Sequence, residues 1–317
     1  MPVNTKAIKG RIKSVGSTKK ITKAMEMIAA AKMRKAVNAA LDTRTYATLA
    51  WDLLVSLSKT QKTQLPLLAV RPVQKILVII VTSNRGLCGS FNSNIIKKVS
   101  AQLKNPAHIA KQIVGDKELP GSENITIDVV GIGKKGADFA KKMNYNLVAA
   151  FTNMTDTPSV DDALPIAKMA IDAYESKSYD KVIVAYTDFR SAIFQLAKLR
   201  QVLPISEADL EKMITGKEDL EKQESKQKNL QEDTYLFEPN RLDVLQTILP
   251  RLVETQIYQA MLESAASEHS ARMMAMRSAS DAAEDMIKEL NLNFNKARQA
   301  GITQEIAEIA GGAAALE

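Results

Sequence analysis

The chain has 317 residues, 45% of them hydrophobic and only 5% aromatic, with a net charge of +7. That is apolar material for one large domain or two, but too few aromatic rings for a nucleic-acid stacking surface or a β-rich domain. One cysteine excludes an internal disulfide, and the longest aliphatic run, Ile76 to Val81, is far short of the roughly 20 residues of a membrane span, so a soluble chain without a signal segment is expected.

Residues 4 to 58 read as one Ala-rich helix, the first segment of a layout with boundaries at 1–60, 72–204, 205–234 and 238–317. Within it no Gly follows Gly16 and no Pro follows Pro2. Its start is basic: Lys6, Lys9, Arg11, Lys13, Lys19, Lys20, Lys23, Lys32, Arg34 and Lys35 stand against one acid, Glu26. A solvated helix face would account for this, as would a stripe that meets an acidic partner. Nucleic acid is the weaker partner, because no aromatic residue precedes Tyr46.

From 72 to 204 the pattern changes to alternating strands and helices. Lys75 to Thr82 is a buried-strand run, Asn92 to Leu103 a helix, Ile125 to Val130 a strand and Lys134 to Met143 a helix. Leu147 to Phe151, the long helix Ser159 to Ser176, the strand Lys181 to Thr187 and an edge strand within Ser191 to Leu203 complete it. Such alternation implies a mostly parallel sheet covered by helices. Residues 206 to 233 are half charged and poor in aliphatics, which fits a solvated insertion.

Pro239 and Asn240 mark a helix start, and Pro250 should loosen its first turns. Leu245, Ile248, Leu252, Thr255, Gln259, Leu262, Ala266, His269, Met273, Met276, Ser280, Ala283, Ile287, Leu290, Phe294 and Ala297 then step forward by alternating threes and fours. This is a coiled-coil seam. A lone exposed helix of such length is marginal, so the N- and C-terminal helices are expected to pair, antiparallel in a hairpin. The fold expected is α/β: a long antiparallel coiled coil of terminal helices plus a Rossmann-like globular domain.

Three features invite a catalytic reading. Gly131-Ile-Gly-Lys-Lys-Gly136 is a literal GxGxxG between strand and helix, but Thr152 and Asn153 stand where a ribose-binding acid would be, and Asp156 lies farther on. A glycine-permitted turn is the simpler account. Cys88 has no His near it in a chain with only His108 and His269, so a tight turn opening a helix outweighs a Cys–His pair. His269 on the seam reads as packed or hydrogen-bonded rather than as a metal ligand.

Several strings carry a specific likeness. Lys19-Lys-Ile-Thr-Lys-Ala-Met-Glu-Met-Ile-Ala-Ala-Ala-Lys-Met-Arg-Lys35, Thr82-Ser-Asn-Arg-Gly-Leu-Cys-Gly-Ser-Phe-Asn92, Ser267-Glu-His-Ser-Ala-Arg-Met-Met-Ala-Met276 and Asn295-Lys-Ala-Arg-Gln-Ala-Gly-Ile-Thr-Gln-Glu305 resemble the gamma subunit of F-type ATP synthases. The likeness runs in order along nearly the whole chain and is weakest at 206–233. It implies a central-stalk rotor that couples proton-driven rotation of the c-ring to the beta-subunit catalytic sites, with no catalytic residue, cofactor or metal of its own.

It further implies alpha and beta subunits, three of each, an epsilon subunit and the c-subunit ring as partners, and no nucleic acid. Lys20, Lys23, Met25, Arg272, Arg298, Gln299 and Thr303 match positions facing the beta subunits. Tyr235, Phe237 and Glu238 match the segment seated on the c-ring beside epsilon. Ile306 to Glu317 would enter an apolar sleeve of the ring. Membrane association would be peripheral, through partners, on the cytoplasmic face of a bacterial inner membrane or the matrix or stroma side in an organelle. The paired regulatory cysteines of the chloroplast form are missing from the insertion. A nucleotide-dependent enzyme using Gly131 to Gly136, and a coiled-coil scaffold of an unrelated complex, are the competing readings.

Overall fold

β1 (Lys75–Val81) is the central strand of the main sheet, and six of its seven residues are buried. A parallel strand at mid-sheet is covered on both faces, which is why KILVIIV is apolar throughout rather than alternating. The computed structural model describes residues 5–58, 65–110, 112–114, 117–119, 125–205 and 240–314. The charged insertion expected at 206–233, and Tyr235, Phe237 and Glu238, lie outside them.

In chain order the described elements are α1 (Thr5–Ser58), a 3-10 turn (Pro66–Leu68), β1, α2 (Phe91–Leu103), α3 (Pro106–Ala110), β2 (Gln112–Val114), β3 (Lys117–Leu119), β4 (Thr126–Ile132), α4 (Lys134–Lys142), β5 (Asn146–Phe151), α5 (Val160–Glu175), β6 (Lys181–Phe189), β7 (Gln195–Leu203) and α6 (Arg241–Ala314). The main sheet runs β5-β4-β1-β6-β7. β1 pairs in parallel with β4 (Val78 opposite Val129) and with β6 (Val78 opposite Ile183); β7 adds an antiparallel edge. The small β2–β3 hairpin and α3 were not expected from the sequence. Each is five residues or fewer, too short for a periodic signal.

The alternation of β1 sorts its side chains between two cores. Leu77, Ile79 and Val81 pack with Ile166, Ala167 and Ala170 of α5, while Ile76, Val78 and Ile80 pack with Ile95 and Val99 of α2 and Phe139 and Ala140 of α4. α5 starts at a capping box: Asp162 N donates to Ser159 Oγ at 3.3 Å and Ser159 N donates to Asp162 Oδ2 at 2.9 Å.

The chain divides into two compact units, Met1–Ala31 with Arg272–Glu317, and Lys32–Ala271. The larger contains the sheet. There α6 does more than coil: Leu245, Leu249, Leu252, Val253, Ile257, Ala260 and Met261 belong to the core that includes α5 and β6. The seam expectation therefore needs one correction. From Leu245 to Met261 its residues pack into the globular core, because a helix buried on several sides has no single seam; Ala36 of α1 meets Ala265 and Ala266 only beyond that point.

In the smaller unit the pairing is of coiled-coil type and antiparallel. Thr22 Oγ1 and Ser280 Oγ share a buried hydrogen bond of 2.7 Å, and Lys19 Nζ donates to Glu284 Oε2 at 2.9 Å, so numbering falls on α6 as it rises on α1. All eight expected seam positions from Met273 to Ala297 are buried or half-buried. α1 answers with its own run of threes and fours, Ile12, Val15, Lys19, Thr22, Glu26 and Ala29, all wholly or partly covered.

The bottom of the sheet is fastened by Arg71. Its Nε donates to Asp180 Oδ1 at 2.9 Å and its Nη2 to the Tyr174 and Tyr179 carbonyls at 2.8 and 2.6 Å, with the guanidinium 4.3 Å from the Tyr174 ring centre. Asp180 Oδ2 meanwhile accepts from the backbone N–H groups of Gln74 and Lys75 at 2.9 and 3.0 Å. Removing Arg71 strands this carboxylate and two carbonyls in a mostly covered site. Arg71→Ala should destabilise the chain by about 2–4 kcal/mol, read as a lower urea midpoint with an unchanged slope.

Candidate functional site

The place to test for chemistry is the C-terminal end of the parallel strands, where the chain crosses from β5 to β6 on the far side of β1. The glycine motif stands there. Gly133 has φ +86°, a conformation other residues adopt at a cost, and a Cβ on it would lie 2.2 Å from the Thr82 carbonyl oxygen. A Cβ on Gly131 would lie 2.9 Å from the Ala137 nitrogen, so two of the three glycines let α4 close onto the strands.

The N–H groups at the head of α4 are already occupied. Gly136 N donates to Thr82 Oγ1 at 2.7 Å, Lys134 N to Asn84 Oδ1 at 3.0 Å, and Lys135 N to the Ser83 carbonyl at 3.3 Å. Thr82 Oγ1 in turn donates to the Ile132 carbonyl at 2.9 Å. A dinucleotide fold leaves such groups open for a pyrophosphate; here the β1–α2 connection fills the position. The neighbouring cleft is roofed by Met261, Ser264 and Ala265 of α6 and holds about 50 Å³, against roughly 300–1,000 Å³ for ligand pockets. The motif is a packing device.

The other two candidates resolve similarly. Cys88 is buried: Asn92 Nδ2 donates to its Sγ at 3.1 Å and to Ser83 Oγ at 2.7 Å, while Ser83 N donates to Asn92 Oδ1 at 3.0 Å. This network holds a tight turn before α2, with Leu87 at φ +62° and 61% exposed on its outside. His269 is buried, and its Nε2 donates to the Asp156 carbonyl at 2.8 Å, as expected of a hydrogen-bonded seam histidine. The Asp156 carboxylate takes Lys32 of α1 at 2.5 Å, and that hydrogen bond holds it below the usual carboxylate range. Asp156 thus ties loop to helix. Among the described residues no group of three His, Cys, Asp or Glu side chains could hold a metal.

What remains is surface. In the smaller unit Lys20, Lys23, Arg298, Gln299 and Thr303 are exposed and Met25 and Arg272 half-buried. Lys23 Nζ reaches Glu26 at 2.9 Å, and Thr303 Oγ1 donates to the Gln299 carbonyl at 2.9 Å. Lys20, Lys23 and Met25 share one stretch of α1, and Arg298, Gln299 and Thr303 one stretch of α6. Arg272 stands apart from both along α6. Ile21, Met27 and Ile28 lie beside the basic residues with 61, 60 and 55% of their surface exposed.

The sequence reading passed over a further feature. Thr5, where α1 starts, precedes Thr22 by 17 residues, and 17 residues beyond Ser280 is Ala297. Past Ala297, α6 has no partner helix among the described residues, and every described side chain to Gly312 is exposed, Ile302, Ile306 and Ile309 included. Comparing the lengths of the two seams would have found it.

A family model described as ATP synthase matches residues 4–316. The chain is 39% identical over 322 residues to the ATP synthase gamma chain of Herpetosiphon aurantiacus, covering 99% of each. It is 35% identical over 312 residues to that of Legionella pneumophila, covering 98% of this chain and 99% of the relative. The chain belongs to the ATP synthase gamma-chain family.

Solved structures match the fold. The rotor of Euglena gracilis mitochondrial ATP synthase matches with a TM-score of 0.58 at 16% identity, over 94% of this chain and 98% of that one. The central stalk and c-ring structure from Tetrahymena thermophila matches with 0.55 at 24% identity, over 82% and 99%. A gamma chain is a subunit of the synthase rather than its catalytic one, in keeping with a glycine motif spent on packing. Gly133→Ala should therefore cost at least about 2 kcal/mol of stability in chemical denaturation, and adenine or nicotinamide nucleotides should leave the melting temperature of the parent chain unmoved.

Proposed function

We propose that the chain is the central-stalk rotor of an F-type ATP synthase, coupling proton-driven rotation of a c-subunit ring to the conformational cycle of beta-subunit catalytic sites. The observation that carries this is the bare end of α6. A single helix that exposes Ile302, Ile306 and Ile309 is poorly stable in water and calls for a surrounding partner. A sleeve formed by three alpha and three beta subunits would supply one, and small or aliphatic side chains would turn in it with few strong bonds to break.

The basic start of α1 supports a second contact. Lys20 and Lys23 offer charge to an acidic loop of the beta subunit, with Met25 at the centre of the patch, and Arg298, Gln299 and Thr303 would meet the ring from α6, with Arg272 nearer the middle. Rotation of an asymmetric shaft changes which beta subunit feels these contacts, and so shifts the populations of their open and closed states. The chain contributes no reacting group. Tyr235, Phe237 and Glu238 would seat the other end on the c-ring beside an epsilon subunit. No described helix is long and apolar enough to cross a membrane, and attachment through partners at the cytoplasmic face of a bacterial inner membrane accounts for that.

Purification of the tagged chain from its own cells tests the proposal. It should bring alpha and beta subunits in threefold excess and ATPase activity; elution alone, or with other partners and no ATPase, would sink it. In the purified complex, reversing charge at Lys20 and Lys23 to Glu should lower ATP-driven proton pumping per ATP hydrolysed by about tenfold. An unchanged pumping ratio would remove these residues from the coupling contact.

A further inference from the structure

Between α6 and the β6–β7 edge lies a buried polar layer that the rotor reading does not use. Ser267 Oγ donates to the Thr187 carbonyl at 3.2 Å and Ser270 Oγ to the Ala192 carbonyl at 2.6 Å, so this stripe of α6 faces β6 and the turn that follows it. Before Ser267 on the same stripe, a turn at a time, stand Glu263, Gln259 and Gln256. Each is at most 5% exposed. Gln259 Nε2 donates to Glu263 Oε1 at 2.9 Å, which identifies the nitrogen of that amide and leaves its oxygen on the other side.

Strand alternation brings four side chains to meet this stripe. Tyr186 packs in the core that holds Ile257 and Met261 of α6, and Asp188, two residues on, shares its face. On β7, Ala197 and Leu199 pack against the opposite core, which leaves Lys198 and Arg200 on the α6 side. Lys198 stands opposite Tyr186 in the strand register; its Nζ lies 5.3 Å from the Tyr186 ring centre, and Arg200 Cζ lies 5.5 Å from it. Asp188 is engaged, since its Oδ2 receives Lys198 Nζ at 2.9 Å and Arg190 Nε at 2.7 Å.

The Tyr186 hydroxyl, Arg200 Nη1, Gln256 Oε1 and Gln259 Oε1 are different. All are covered from solvent, and no direct hydrogen bond to the protein reaches any of them. Native interiors contain few such atoms, because an unpaired buried polar group is costly. Their chemistry says what would satisfy them. Arg200 donates, the glutamine oxygens accept, and the tyrosine hydroxyl does both. Donors alone would call for an anion; donors and acceptors together call for a molecule that also does both.

We infer that this layer is a binding site for internal water, which bridges the Tyr186 hydroxyl and Arg200 Nη1 to the glutamine oxygens and so seats α6 on the β6–β7 face. A buried water makes about three hydrogen bonds, enough to accept from Arg200 and donate to a glutamine while holding the tyrosine. Such bridges are nearly as favourable as direct bonds. They are directional too, and fix α6 in one register over the strands. This inference stands whether or not the chain is a rotor.

Tyr186→Phe in the full-length chain tests it, because the change removes one hydroxyl and keeps the ring. Were the hydroxyl dry and unpaired, its removal would raise the folding equilibrium constant. Bonded to water, its removal should lower that constant about fivefold, read from urea unfolding. Gln256→Met should act in the same direction. The double variant should lose less than the product of the two single losses, since a bridge broken by one change cannot be broken again by the other. In a high-resolution map of the purified chain, ordered density should lie about 2.7–3.1 Å from Tyr186 Oη and from Arg200 Nη1. Added bromide should leave the urea midpoint unmoved. A gain or no change in Tyr186→Phe, independent losses in the double variant, or a map without that density would each overturn the water site. Stabilisation by bromide that disappears in Arg200→Gln would overturn it in favour of an anion. Should a variant not fold, the map of the parent chain decides.

Discussion

A single helix, α6, has to be buried in two different ways along its length, and the rest of the structure answers that demand. Over Leu245–Ser270 it is covered on most sides, with Leu249, Val253, Ile257 and Met261 in the sheet core and Ala265 and Ala266 against Ala36 of α1. From Met273 to Ala297 only a stripe is covered, and beyond Ala297 nothing is. Burial of apolar area at roughly 25 cal/mol per Å² is the main source of stability, so successive stretches of one helix differ in what holds them. The first is fixed by a globular core, the second by a partner helix, and the third by nothing within the described chain.

The α/β domain is built like a nucleotide-binding fold and lacks the opening for one. Thr82 is the reason. Its hydroxyl donates to the Ile132 carbonyl and accepts from Gly136 N, so the helix head that could bind an anion is satisfied internally. Gly131 and Gly133 then let helix and strands approach more closely than any side chain would allow. The domain gains rigidity at the place where a dinucleotide enzyme keeps a cavity. Such close packing agrees with membership of the gamma-chain family.

Polar groups take an unusual share in fastening α6. Ser267 Oγ donates to the Thr187 carbonyl at 3.2 Å, Ser270 Oγ to the Ala192 carbonyl at 2.6 Å, and His269 to the Asp156 carbonyl. Each pins the helix to a strand end or loop in one register, which apolar contacts alone, being non-directional, do not do.

Much of this was legible in the chain. The threes-and-fours run from Leu245 to Ala297, the apolar KILVIIV and the order of strands and helices follow from side-chain periodicity, a local property that folding preserves. Lys20, Lys23, Arg298 and Gln299 could be singled out only by resemblance, since an exposed lysine looks alike on any helix. The small β2–β3 hairpin left no periodic trace. Tertiary structure alone decided that Leu245–Met261 faces a sheet rather than α1, because a leucine is apolar toward either. It alone decided that GxGxxG is closed, because that depends on where Thr82, some 50 residues earlier in the chain, places one hydroxyl. And it alone brought Ser267 to the Thr187 carbonyl, since groups 80 residues apart have no reason to meet until α6 lies across the sheet.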